Sequence, residues 1–297
     1  MKDIIVICGP TGVGKTSLSI ALAKELDGEI INADSTQVYQ KMNIGTAKIT
    51  EEEKEGITHH LIDTLTLNDE YSIYEFQTDA RKAIDEIRKK NKTPIIVGGS
   101  GLYLSALLYD YKLSESSPKL DEDTFSKLTN EELYDSIHNR QPELALDKNN
   151  RQRLMRYYTK YVINKEEYKK ESSESKLLYP VKFIGLKADR DTLYSRINQR
   201  VDEMIANSLS DEVRSLYKEF PNAKQLRSTI GYKEIIDYLD EVISLEDAIN
   251  QIKQNSRRYA KRQHTWFNNK MDIHWFNVDF SRFDKTIEEV KQYVKGE

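Results

Sequence analysis

The chain has 297 residues, a formal net charge of −4, and 32% charged against 38% hydrophobic residues. That length suits one large domain or a domain with an insertion, and no apolar run approaches the roughly 20 residues of a bilayer crossing. Its single cysteine, Cys8, excludes an intramolecular disulfide and a cysteine-rich zinc site.

Asp3–Cys8 is a short β-branched run that predicts a fully buried strand. It leads into Gly9, Pro10, Thr11, Gly12, Val13, Gly14, Lys15 and Thr16, which match the phosphate-cradling pattern G-x-x-x-x-G-K-[ST] without a mismatch. Leu18, Ala21, Leu22 and Leu26 then recur at helical spacing. In such a strand–loop–helix unit, backbone N–H groups converge on an anion at a helix N-terminus. Lys15 adds a point charge, and the Thr16 hydroxyl is placed to coordinate Mg²⁺. The strand begins almost at Met1, so a cleaved leader would destroy the unit, and a cytoplasmic protein is expected.

Glu29–Ala33 predicts a second strand, followed by Asp34-Ser35, and Ser72–Lys90 predicts a helix with Ile73, Phe76, Ala80, Ala83 and Ile87 along one stripe. Ile95–Val97 predicts a third strand, ending in Gly98-Gly99-Ser100-Gly101. Alternating strands and helices imply a parallel sheet with helices on both faces, and ligands at the carboxyl ends of its strands. The phosphate loop, Asp34 and the glycine turn are expected to converge there. Asp34 has two readings: a carboxylate that accepts a proton or orients an amine, or a helix N-cap. No metal-orienting Asp ends the third strand, which favours a small-substrate transferase over a motor ATPase. The glycines would let an acceptor approach the backbone closely.

Leu113–Leu178 is polar and helical in pattern, before Val181–Leu186 resumes the core as a strand and Leu193–Met204 as a helix. The expected organisation is a phosphate-loop core at 1–112 and 179–297 with a helical C-terminal extension, and a helical insertion at 113–178. Arg151–Lys165 holds five basic residues and Gln251–Lys270 holds six, with no acid in either. Both carry aromatics, among them Tyr157, Tyr161, Tyr259 and Trp266. Such tracts suit RNA, with arginines on phosphates and rings on unstacked bases, but a solvated helix face is the other reading. Arg196 and Arg200 follow the 181–186 strand as lid arginines do in nucleotide kinases, or lie on a helix surface. Adjacent His59 and His60 read as structural rather than as a metal pair.

In order along the chain stand Gly9–Thr16, Asp34-Ser35-Thr36-Gln37-Val38-Tyr39, Ile44-Gly45-Thr46-Ala47-Lys48, His59-His60-Leu61-Ile62-Asp63 and Val97–Tyr103. Asn150-Arg151-Gln152-Arg153-Leu154, Ile230-Gly231-Tyr232-Lys233-Glu234 and Arg258-Tyr259-Ala260-Lys261-Arg262-Gln263 complete the series. With these motifs the chain resembles the tRNA dimethylallyltransferases, or tRNA isopentenyl transferases, over almost its whole length. Ser100 stands where that family usually has Thr, and Tyr157-Tyr158-Thr159 replaces its common Ala-Leu-Glu.

The resemblance implies transfer of a dimethylallyl group from dimethylallyl diphosphate to N6 of the adenosine 3′ of the tRNA anticodon. Diphosphate would leave, and the nucleotide-binding (ATP-binding) loop would hold a prenyl diphosphate with Mg²⁺. It implies Asp34 as the base or orienting acceptor, and tRNA contacts from Asp34, Ser35, Thr36, Gln37, Ser100, Gln152, Arg153, Leu154, Met155 and Arg156. A monomer acting on the anticodon stem-loop is expected. A P-loop kinase using ATP, a non-catalytic RNA-binding protein and a free-adenylate prenyltransferase are the alternatives.

Overall fold

The computed structural model describes residues 2–110, 125–166 and 176–296. The chain divides into two compact units, one from Met1–Tyr111 with Leu177–Glu297 and the other from Lys112–Lys176.

The first unit opens on β1 (Ile4–Cys8), whose five residues are all buried, and α1 (Lys15–Glu25). β2 (Gly28–Asn32), α2 (Glu51–Lys54) and β3 (His59–His60) follow. α3 (Ile73–Lys89) starts at a capping box in which Ser72 and Glu75 satisfy each other's backbone N–H. β4 (Thr93–Gly98) and α4 (Gly101–Leu108) complete its first half. In the second unit, α5 (Asn130–Arg140) and α6 (Arg151–Tyr157) run into a π-helical turn at Tyr158–Ile163. The first unit then resumes with β5 (Val181–Lys187), α7 (Arg190–Ala206), α8 (Leu209–Glu219), α9 (Lys224–Ser228) and α10 (Tyr232–Leu239). The 26-residue α11 (Leu245–Lys270), β6 (His274–Asn277) and α12 (Phe283–Lys295) end it.

The six strands form one parallel sheet in the order β3-β2-β4-β1-β5-β6. β1 lies between β4 and β5, with Cys8 opposite both Gly98 and Gly185. The chain crosses to opposite sides of β1, so a crevice opens at its carboxyl end, where the phosphate loop emerges. One sheet face packs on α3, α4 and Phe267 of α11, and the other on α1, α7 and α12. The predicted strands are one or two residues off at their ends. β3 and β6 are not among the predicted elements; two or four residues with partly exposed side chains carry no run of buried β-branched residues.

Two of the sequence motifs prove to be partners in packing. Gly45 lies against Tyr232, where a Cβ would come within 2.4 Å of the ring. The Glu212 carboxylate accepts from the N–H groups of Asn43 (3.1 Å) and Ile44 (2.8 Å) and from the Tyr232 hydroxyl (2.6 Å). The motif around His59 is tied in similarly. Lys48 forms an ion pair with Asp63 and donates to Tyr39 O at 2.7 Å. His60 Nε2 lies 2.8 Å from the buried Glu29 carboxylate. Burial works against ionisation of Glu29, but bonds from His60, Lys90 and Lys92 outweigh it and hold its pKa at about 2.

The second unit has its own small core of Phe125, Leu133, Ile137, Leu144, Leu154 and Tyr161. Arg151 staples it: the guanidinium donates to Phe125 O (2.6 Å), Leu128 O (2.9 Å) and Asn130 Oδ1 (2.8 Å). Stretches 113–124 and 167–175 of the predicted insertion lie outside the described residues.

Candidate active site

The loop from Gly9 to Gly14 turns the chain from β1 into α1. Gly14 caps that helix at φ +99°, a left-handed conformation that an L side chain adopts only under strain. Val13 is fully buried, so its contribution to an anion site is its backbone. Lys15 folds over the loop and donates from Nζ to Gly9 O (2.9 Å) and Pro10 O (2.8 Å). Burial, then the neighbouring Arg200 charge, pushes the Lys15 ammonium down to about 8, with Asp34 pulling the other way.

Two clefts meet beside this loop. The larger, of about 900 Å³, is lined by Thr11–Thr16, Asp34, Gln37, Arg196, Arg200 and Tyr259. The smaller, of about 500 Å³, is lined by Asp34, Ser35, Thr36, Lys233, Arg258 and Arg262. Thr11, Asp34, Thr46, Arg200 and Tyr259 belong to both walls. One cleft therefore has loop amides and a lysine, the other has exposed guanidiniums, and a carboxylate stands where they join.

Asp34 leaves the carboxyl end of β2 and caps no helix. Its Oδ1 accepts from Thr36 N (2.9 Å) and Thr36 Oγ1 (2.7 Å), a local turn that fixes the carboxylate's direction. Among the described residues Oδ2 takes no hydrogen bond. Burial first, then the charge of Asp34, pushes the nearby Tyr259 hydroxyl up to about 12, so it stays protonated at neutral pH.

Arg200, from α7, lines both clefts. Its Nη2 donates to Thr11 Oγ1 at 2.7 Å, while its Nε is buried with no partner among the described residues. A buried, unpaired guanidinium N–H beside a phosphate loop points to an anion. Arg196 is exposed, with its guanidinium 4.1 Å from the centre of the Phe280 ring.

Other expected positions fall differently. Ser35 is exposed in the smaller cleft, whereas Gln37 turns its amide inward to donate to Thr46 O at 3.0 Å. Ser100 lines neither cleft; its hydroxyl caps α4, accepting from Tyr103 N at 3.5 Å. Gln152, Arg153 and Arg156 are exposed on α6 and Met155 is half-buried, but Leu154 is fully buried in the second unit's core. The Leu154 side chain is thus a packing residue and offers RNA nothing.

The glycine turn is packed closely on its side-chain face. A Cβ on Gly99 would sit 2.1 Å from Gln263 Nε2, and one on Gly101 would sit 2.0 Å from the Trp266 ring. The side-chain space at Gly99 and Gly101 is filled by α11 of the same chain, while the backbone of Gly98 and Gly99 lines the larger cleft. Sequence reading also passed over Gln263. Its motif was visible, but its bonds to Thr11 N and Gly99 O span 252 and 164 residues and leave no local trace; its bond to Tyr259, four residues earlier, is the local one.

Among the described residues no group of three or more His, Cys, Asp or Glu could hold a metal ion. No helix among them is long and apolar enough to cross a membrane.

Comparison with known proteins identifies the family. The family model described as "IPP transferase" matches residues 37–270. A tRNA dimethylallyltransferase of Anoxybacillus flavithermus is 45% identical over 302 residues, covering 99% of this chain and 97% of that protein. The crystal structure of a tRNA delta(2)-isopentenylpyrophosphate transferase from Staphylococcus epidermidis superposes with a TM-score of 0.75 at 40% identity, covering 100% of this chain and 99% of that one. A eukaryotic dimethylallyltransferase acting on tRNA superposes with a TM-score of 0.83 at 29% identity, over 100% of this chain and 80% of that one. Phosphate loop, sheet order and matched length lead to one conclusion: the chain belongs to the IPP transferase family, the transferases that modify tRNA.

Proposed function

We propose that the chain transfers a dimethylallyl group from dimethylallyl diphosphate to N6 of the adenosine 3′ of the anticodon, giving N6-(dimethylallyl)adenosine and diphosphate. The observation that carries this reading is the meeting of the two clefts at Asp34. A phosphate loop on one side suits the donor's diphosphate, and arginines with a stacking tyrosine on the other suit an extruded base.

In the reaction the allylic C–O bond of the donor breaks and an N–C bond forms at N6. The largest demand is charge stabilisation on the departing diphosphate, which the loop amides, Lys15 and the unpaired Arg200 Nε are preorganised to meet. N6 must also shed a proton. Asp34 Oδ2, free of the Thr36 turn, accepts that N–H and either holds the amine or takes the proton.

Mg²⁺ suits the site. Thr16 is exposed at the start of α1 within the larger cleft, and it offers one hard oxygen of the kind Mg²⁺ takes alongside phosphate oxygens and water. Bound there, the ion would neutralise the leaving group's charge. For tRNA, the exposed Gln152, Arg153 and Arg156 of the second unit supply phosphate and base contacts, as do Ser35, Thr36, Arg258 and Arg262 of the first. The reading carries with it a monomer working in the cytoplasm, on tRNA.

Mass spectrometry of tRNA nucleosides after incubation with donor and Mg²⁺ tests the reading. The expected product is N6-(dimethylallyl)adenosine, formed with dimethylallyl diphosphate and not with ATP. Product on free AMP in preference to an anticodon stem-loop would transfer the assignment to an adenylate prenyltransferase.

A further inference from the structure

Gln263 belongs to the long α11, yet its carboxamide reaches the sheet's carboxyl edge and joins two loops there. Its Oε1 accepts from Thr11 N at 2.9 Å, and its Nε2 donates to Gly99 O at 3.0 Å. The side chain is buried, and its bond to Gly99 O has no water as a ready substitute. Thr11 is itself held a second time, through its hydroxyl, by Arg200. The Gly9 and Pro10 carbonyls are held by Lys15. Apart from the Gly99 carbonyl, every group so held belongs to the loop that the proposed function assigns to the donor's diphosphate.

The geometry points to Gln263 as a positioning residue for prenyl transfer: by cross-bracing Thr11 of the phosphate loop to Gly99 of the glycine turn, it holds the loop amides in their anion-receiving shape. This inference rests on the loop being the donor site. With its N–H held by Gln263, Thr11 cannot give that N–H to the anion. Its amide is turned toward the brace, and the amides from Gly12 onward, together with Lys15, are left for the phosphates. A loop without the brace has a part-buried N–H and a buried carbonyl to satisfy, and it would satisfy them by shifting.

The glycine at position 99 belongs to the same device. The nearest atoms to a Cβ there are the Gln263 Nε2 at 2.1 Å and Cδ at 3.2 Å, with Gly9 O next at an ordinary 3.7 Å. Gly99→Ala therefore intrudes on the carboxamide and on nothing else nearby. It breaks the brace from the other end.

The test is binding of inorganic diphosphate to the full chain by calorimetry, together with steady-state kinetics, for Lys15→Ala, Gln263→Leu, Gly99→Ala and the Gly99→Ala/Gln263→Leu double variant. Gln263→Leu should weaken diphosphate binding about tenfold, the scale of a lost hydrogen bond. It should raise the donor KM and leave the tRNA KM within about twofold. Gly99→Ala should do the same, and the double variant should be no worse than the worse single one, because both changes remove one interaction.

Gln263→Glu covers the case in which Gln263→Leu does not fold. A carboxylate can accept from Thr11 N but has no proton for Gly99 O, so its donor affinity relative to wild type should be low at neutral pH. It should recover as the pH falls and the carboxyl protonates. A general packing defect would show no such recovery. Diphosphate binding that depends on Lys15 but is untouched in Gln263→Leu overturns the inference alone, as do losses that multiply in the double variant. Binding that is unaffected by Lys15→Ala overturns the loop assignment, and the inference with it.

Discussion

Arg200 Nη2 donates to Thr11 Oγ1 at 2.7 Å, so a helix that begins 175 residues after the phosphate loop's helix reaches back and holds that loop. The same guanidinium keeps its Nε buried and without a partner among the described residues. Arg200→Met should leave the fold intact, since the replacement keeps most of the apolar stem. It should raise the donor KM by about tenfold or more, the scale of a lost charged hydrogen bond. Donor kinetics at saturating tRNA check this, and an unchanged KM would leave the unpaired Nε without a purpose.

Lys15 gives the reaction a pH dependence of known sign. In the free protein its ammonium is pushed down to about 8, chiefly by burial and then by Arg200. A bound anion favours the charged form, so the lysine's pKa is higher in the complex. Donor affinity should therefore be greatest below about pH 8, and should fall as pH rises through that value toward the pKa of the complex. Lys15→Arg stays charged throughout, so the ratio of wild-type to variant affinity isolates the lysine. A ratio that stays flat across the alkaline range would contradict the assignment. Lys15→Ala should raise the donor KM and cut turnover together.

Asp34→Asn preserves the side-chain oxygen that the Thr36 turn requires, but it replaces the carboxylate oxygen facing the cleft with an amide donor or an uncharged acceptor. Turnover should fall by roughly 10²-fold or more, the scale of a lost acid–base group. Binding of tRNA, followed by filter retention, should hold within about twofold. Loss of both together would make Asp34 a scaffold residue.

Two arginines two positions apart should behave in opposite ways. Arg151→Ala removes the staple to Phe125 O, Leu128 O and Asn130 Oδ1, and should destabilise the second unit by about 2–4 kcal/mol, read by denaturant unfolding. Arg153 is exposed, its guanidinium close to Tyr157. Arg153→Ala should leave stability alone, weaken tRNA binding, and reduce the salt dependence of binding by about one unit of slope. The reverse pattern would exchange their roles.

The difference between these two arginines marks how far the sequence could be read. A buried β-branched run, a phosphate loop and a 3.6-residue stripe are local patterns: they predicted β1 and α3 within a residue of their observed ends, and a helix after the loop where α1 stands. The carboxylate after β2 was placed correctly at the sheet's carboxyl edge, because a strand end fixes where the next residue lies. What stayed invisible depended on distant partners. Arg151 and Arg153 look alike until the carbonyls of Phe125 and Leu128 are seen to surround one of them. Leu154 sat within an RNA-contact stretch by resemblance, but its own helix turns it into the core. The glycines after β4 suggested room for a ligand; Gly98 and Gly99 do line the larger cleft, but the side-chain space at Gly99 and Gly101 belongs to Gln263 and Trp266, which the sequence could not show. The Ile44–Lys48 and Ile230–Glu234 motifs read as separate signals, although Glu212 and Tyr232 make them one packed device.

A crystal structure of the protein with an unreactive dimethylallyl diphosphate analogue, Mg²⁺ and an anticodon stem-loop tests the central claim most directly. The expected map shows the diphosphate against the amides from Gly12 to Thr16 with Lys15 and Arg200 on its oxygens, and an extruded adenine whose N6 lies about 3 Å from Asp34 Oδ2. Diphosphate bound away from the loop, or an N6 beyond hydrogen-bond reach of Asp34, would contradict it.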